Sequence, residues 1–133
     1  MADFYFKIKT NHMILKDLKT QKELEIKGNF STSRLLVGDF YNATSQLATL
    51  VNQHGFRKGL RRLLDRSHRV VIHPLDQSEG GLCSVEERVL LEVTHGGFRC
   101  ILKKMVIHQG ERLLSDIEIK EKLQSSPKRP KGH

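Results

Sequence analysis

The chain opens on a period of two. Phe4, Phe6 and Ile8 alternate with Tyr5, Lys7 and Lys9, which puts apolar side chains on one face of a strand and polar ones on the other. Thr10-Asn11 then reads as a tight turn, and a second run from Met13 to Leu18 reaches the polar stretch Lys19-Thr20-Gln21-Lys22. A third run, Glu23 to Lys27, sets Leu24 and Ile26 on one face before Gly28-Asn29 ends it, so the pattern predicts three antiparallel strands in succession. The period then changes. Leu47, Leu50, Val51 and His54 recur at helical spacing behind a cap at Asn42 or Thr44, with Gly55 placed to stop the helix. Phe56, Leu60, Leu63 and Leu64 permit a second, short amphipathic helix, which Gly59 weakens.

Val70-Val71-Ile72 is a continuous apolar run ended by His73-Pro74, as a central strand buried on both faces requires. Ser84-Val85-Glu86-Glu87 forms a capping box, opening a helix with Val85, Val89 and Val93 on its inner face and Gly96-Gly97 at its end. Cys100 to His108 predicts a further strand, and a second capping box, Ser115-Asp116-Ile117-Glu118, opens a final helix through Leu123. From Ser125 onward Ser, Pro, Lys and Gly can bury nothing, so the chain divides into one domain over 1–124 and a disordered basic tail over 125–133. The order β-β-β-α-(α)-β-α-β-α predicts an α/β fold with a five-stranded mixed sheet flanked by helices. It is the strand order of the ribonuclease H-like domain and of one half-domain of the actin superfamily.

Composition adds a distribution of charge. Of 133 residues, 38% are apolar and 29% charged, which suits one domain with a real core. The net charge of +8 sits in two places: residues 57–69, with Arg57, Lys58, Arg61, Arg62, Arg66 and Arg69 against Asp65, and the tail, with Lys128, Arg129 and Lys131. The remainder is neutral, so the basic segment is the candidate surface for a protein partner or an anion. No apolar run approaches the ~20 residues that span a bilayer. The start lacks the basic and apolar regions of a signal peptide, and the expected location is the cytoplasm. In that compartment Cys83 and Cys100 are expected to be reduced, small buried hydrophobes.

Candidate chemistry is sparse. His68 and His73, or His95 and Cys100, are not one-face helical pairs, so no metal site is expected; His73, at a strand terminus, is the histidine to examine first. Cys83 at a helix start has the setting for a lowered thiol pKa, but the capping role of Ser84 favours a structural reading. A ribonuclease H-like nuclease needs an acid in the middle of its first strand. Here that strand offers Lys7 and Lys9, Asp3 lies too early, and Asp76 and Asp116 make an incomplete set.

The stretch Gly38-Asp39-Phe40-Tyr41-Asn42-Ala43-Thr44, the helix bearing Leu47, Leu50 and Val51, Val70-Val71-Ile72-His73-Pro74, and Val85-Glu86-Glu87-Arg88 with Gly96-Gly97 together resemble the bacterial rod-shape actin MreB over residues 34–105. Closer still, Arg34-Leu35-Leu36, Glu79-Gly80-Gly81-Leu82, Val85-Glu86-Glu87-Arg88 and Leu114-Ser115-Asp116 resemble the small bacterial YjaA stress-induced proteins over residues 3–123. The resemblance to MreB implies a nucleotide site between two half-domains, with an Asp-x-Gly-Thr turn in the first hairpin. Here that hairpin reads Phe6-Lys7-Ile8-Lys9-Thr10-Asn11, without Asp or Gly. The expectation is therefore a single degenerate half-domain without nucleotide hydrolysis and without cofactor, binding a protein partner, a cytoskeletal filament or a second copy of itself. The alternative is a weak nucleic-acid or anionic-surface binder acting through residues 57–69.

Overall fold

Phe4 pairs with Asp17 and Lys9 with His12, so the first two strands, β1 (Asp3–Lys9) and β2 (His12–Asp17), are joined by the two-residue turn Thr10-Asn11. Asn11 closes it at φ 52°, a left-handed conformation that Asn tolerates well. Its side-chain Oδ1 accepts from the N–H groups of Phe30 and Ser31 at 2.9 and 2.8 Å, pinning the exit of β3 (Glu23–Lys27) to the hairpin. The computed structural model describes residues 3–31, 37–54, 68–76, 84–99 and 102–124. Within them β4 (Arg69–Pro74) lies parallel to β1, and β5 (Lys104–Ile107) parallel to β4, giving a five-stranded mixed sheet ordered β3-β2-β1-β4-β5.

Alternation along the strands divides the sheet into two faces. Phe4, Phe6, Ile8, Met13, Leu15, Val70 and Ile72 are fully buried beneath α1 (Phe40–His54) and α2 (Ser84–Phe98), which contribute Ala43, Leu47, Leu50, Val51, Leu90, Val93 and Phe98 to the same core. On the opposite face a smaller cluster joins Tyr5, Leu18 and Val71 to Leu114 and to Ile119 and Leu123 of α3 (Asp116–Gln124). The result is a mixed sheet flanked by three helices among the described residues, two on one face and one on the other. None of these helices is long and apolar enough to cross a membrane.

Several local expectations change. Asp39, rather than Asn42 or Thr44, caps α1: its Oδ1 accepts from the Asn42 N–H at 3.0 Å, while its own N–H and that of Gly38 donate to the Phe30 carbonyl. The inner face of α2 is Leu90, Val93, Thr94, Gly97 and Phe98, spaced i, i+3, i+4, i+7, i+8, so Val85 lies 68% exposed and Val89 only partly buried. Gly96-Gly97 does not end this helix. A Cβ on Gly97 would sit 2.6 Å from the Leu47 side chain, so the glycine serves the close approach of α1, and the turn comes at Arg99 with φ 51°. The fifth strand is shorter than the expected Cys100–His108: it covers Lys104–Ile107, with Leu102, Lys103 and His108 outside it, and residues 100 and 101 lie outside the described residues. So do the second short helix near 56–64 and the tail. The second capping box forms as expected, Ser115 N–H donating to Glu118 and Glu118 N–H donating to Ser115 Oγ.

Candidate functional site

An open α/β sheet binds its ligands outside the carboxyl ends of its parallel strands. Here those ends belong to β1, β4 and β5, and the group at the end of the central β4 is His73. Its position in a central strand leaves it fully buried on the face covered by α3. Tyr5, one register step away on β1, faces the same side, because β1 and β4 pair Tyr5 with Val71 and Lys7 with His73.

The hydrogen bonds around His73 fix the position of each proton. Its Nε2 lies 2.7 Å from the Gly110 carbonyl, which only accepts, so Nε2 carries the hydrogen. Nδ1 is then the acceptor for the Tyr5 hydroxyl. The same hydroxyl oxygen accepts from the Leu114 N–H at 3.2 Å. A continuous chain thus runs from the backbone before α3, through β1 and β4, to the backbone after β5. Burial pushes the His73 pKa below its ordinary value, with the Gly110 hydrogen bond opposing and the charges of Lys7 and Lys122 assisting. Burial also raises that of Tyr5, so both groups are held neutral. His108 meets the His73 ring edge to face, centroids 4.7 Å apart, and burial with Lys122, His73 and Arg112 lowers its pKa too.

Beside this chain lies an open cavity of about 370 Å³ lined by His108, Arg112, Leu114, Glu118, Glu121 and Lys122. One of its two cations and one of its two acids are joined to each other. Arg112 grips Glu118 with both guanidinium nitrogens, and with the Ser115 N–H this holds the Glu118 carboxyl down at about 2.

The acids considered for divalent metal are not brought together. Asp3 is bonded bidentately to Arg69 at 2.8 Å at the start of β1, Asp76 accepts from the Thr10 N–H at 2.9 Å beyond the end of β4, and Asp116 accepts from Lys16 and Gln21 at 3.0 and 2.8 Å. Among the described residues no three His, Cys, Asp or Glu side chains cluster to hold a metal ion. His68 is buried with its ring 5.9 Å from that of Phe4, and His95 is exposed on α2. Of the basic segment, Arg57, Lys58, Arg61, Arg62 and Arg66 lie outside the described residues, as do Cys83 and Cys100. Arg69 is described. Its guanidinium is engaged by Asp3 and also reaches the Leu123 carbonyl at 3.4 Å, so it braces β1 and α3.

A different surface presents apolar side chains. Tyr41 is 83% exposed beside Phe40, their rings 5.8 Å apart, at the start of α1. Phe40, Leu91, Gly96 and Met105, with Arg88 and Glu92 at the rim, line an open groove of about 470 Å³ between α1, α2 and β5. Sequence periodicity marks the stripe of α1 only from Leu47 onward; Phe40 continues that stripe by one turn and Tyr41 falls beside it, exposed.

Comparison with known proteins adds one relationship. No family model matches the chain. It is 33% identical over 117 residues to YjaA of Escherichia coli (strain K12), described as an uncharacterized protein, and the match covers 87% of this chain and 92% of that one.

Proposed function

The chain belongs to the YjaA family, and from that starting point we propose that it is a non-enzymatic, stress-associated interaction scaffold built on a single ribonuclease H-like, actin-like half-domain. The strand order and the resemblance of residues 34–105 to MreB support the choice of fold family. The carboxyl ends of β1 and β4 support a non-enzymatic reading: His73 there has both ring nitrogens in structural bonds, and β1 supplies Lys7 and Lys9 where a metal-dependent nuclease needs an acid.

The observation that carries the scaffold reading is the exposed Tyr41 beside Phe40, the aromatic that lines the α1–α2–β5 groove. An aromatic side chain 83% exposed at a helix start forgoes burial that stabilises by roughly 1.5–3 kcal/mol, and partner interfaces are enriched in such anchors. Tyr41 brings a large, stiff surface, while Arg88 and Glu92 supply a polar rim. A photo-activatable phenylalanine analogue at position 41, introduced in host cells, tests this. The scaffold reading expects one discrete adduct that disappears with Phe40→Ala and is absent when the analogue is at the exposed Lys19. Equal, diffuse labelling from both positions refutes it.

A further inference from the structure

The Tyr5–His73–His108 cluster lies on the sheet face under α3, away from the Phe40–Tyr41 surface. Each link in the chain holds one proton: Leu114 N–H to Tyr5 Oη, Tyr5 O–H to His73 Nδ1, and His73 Nε2–H to the Gly110 carbonyl. One more proton on Nδ1 turns that acceptor into a donor. The Tyr5 hydroxyl hydrogen then loses its acceptor, in a place where Tyr5 is 3% and His73 0% exposed. The surroundings supply more positive than negative charge. From β1 come Tyr5 and the Lys7 ammonium, from α3 Lys122 and Glu118, and from the connection before α3 His108 and Arg112. Two acids of α3 stand on the His108 side: Glu118, which Arg112 already holds, and Glu121, which lines the open cavity and does not reach the buried His73–Tyr5 bond. The second imidazole, edge-on at 4.7 Å, cannot charge alongside the first without direct repulsion.

We propose that the His73–His108 pair is an acid-sensitive latch, closed when both imidazoles are neutral, whose protonation releases the Gly110–Leu114 connection and loosens α3 from the sheet.

What the latch holds down is separable from the rest of the fold. α3 and Leu114 pack on a cluster of their own with Tyr5, Leu18 and Val71, on the sheet face opposite α1, α2 and the main core. Opening therefore uncovers the Leu114 side of this cluster without dismantling the domain. Release begins at Gly110–Leu114, because Asp116 keeps the start of α3 tied to Lys16 and Gln21, and Arg69 and Lys104 hold the Leu123 carbonyl. Lys16 and Gln21 hold the Asp116 carboxyl below its ordinary range, so this tether survives the acidity that charges a histidine. Depressed histidine pKa values in the closed state agree with this order of events. The latch is a property of the fold and stands whatever the scaffold binds.

Amide hydrogen exchange on the full chain, followed by NMR from about pH 7.5 to about pH 5.5 and corrected for intrinsic rates, tests the latch. The Leu114 amide should lose protection by about tenfold or more, while those of Phe6 and Ile72 keep theirs, because each proton bound on opening contributes up to about tenfold per pH unit. His108→Gln removes the competing charge at a partly exposed position, and it should shift the loss at Leu114 to lower pH. Leu114 protection that is constant over this range, or that falls in step with Ile72, overturns the latch. An unshifted profile in His108→Gln overturns the part assigned to the pair.

Discussion

Replacing Tyr5 by Phe removes one oxygen and leaves the ring in its cluster with Leu18 and Val71, so the cost isolates the hydrogen-bond chain. The Leu114 N–H loses its acceptor and His73 Nδ1 its donor, both in buried surroundings. An unsatisfied buried polar group costs about 1–3 kcal/mol, and some relaxation is available at Leu114, beside the open cavity, so the expected loss is about 2–3 kcal/mol. Urea unfolding at about pH 7.5 measures it as a fall in midpoint with unchanged slope. The pH dependence sharpens the test. His73 titrates below its ordinary 6.5 in the folded state, so the unfolded chain binds more protons between the two values. The stability it contributes is full above 6.5 and is lost as pH falls from there through the folded-state value. The deficit of Tyr5→Phe should therefore shrink at about pH 5.5, where the parent chain has lost part of the same network. A loss below about 0.5 kcal/mol at neutral pH, or a deficit that grows on acidification, refutes the reasoning.

Three further outcomes are expected. Gly97→Ala should lower stability by about 1–3 kcal/mol in thermal or urea unfolding, since the new Cβ meets Leu47 at 2.6 Å, whereas Gly96→Ala, facing only Thr44 Cγ2 at 3.0 Å, should cost less. The Glu118 carboxyl should titrate near 2 by NMR and return toward 4.5 in Arg112→Ala. Its contribution is present above 4.5 and lost as pH falls through about 2, below the histidine window. Retention on DNA at low salt should be unchanged in Arg61→Ala/Arg62→Ala. A weakened affinity together with a salt slope reduced by about two would instead support anion binding by residues 57–69.

The sheet was legible in the sequence wherever its two faces differ. Phe4, Phe6 and Ile8 against Tyr5, Lys7 and Lys9 give β1 its register, and the apolar run at Val70–Ile72 gives β4 its central place. Helix boundaries were less legible because tertiary bonds choose among local options. Asp39, Asn42 and Thr44 are all capable caps, and the selection comes from the Phe30 carbonyl, which draws the Asp39 N–H out of the helix. Gly96-Gly97 reads as a stop in isolation and becomes an approach surface only once Leu47 is known to cross there. The sequence marks His73, at a strand terminus, but not its partners. Tyr5 reaches it diagonally across the β1–β4 ladder, and Leu114 is brought in by α3 on the far side of the chain order, so neither pairing has a local signature.

The account depends most on His73 being a structural hub rather than a free base at the mouth of the sheet. Long-range nitrogen–proton NMR of the histidine rings at about pH 7 tests this directly. A neutral His73 with its hydrogen on Nε2, and with an Nδ1 shift that changes in Tyr5→Phe, is the result predicted. An imidazolium, or a hydrogen on Nδ1 with Nε2 open to solvent, would contradict the account and restore His73 as a candidate for chemistry.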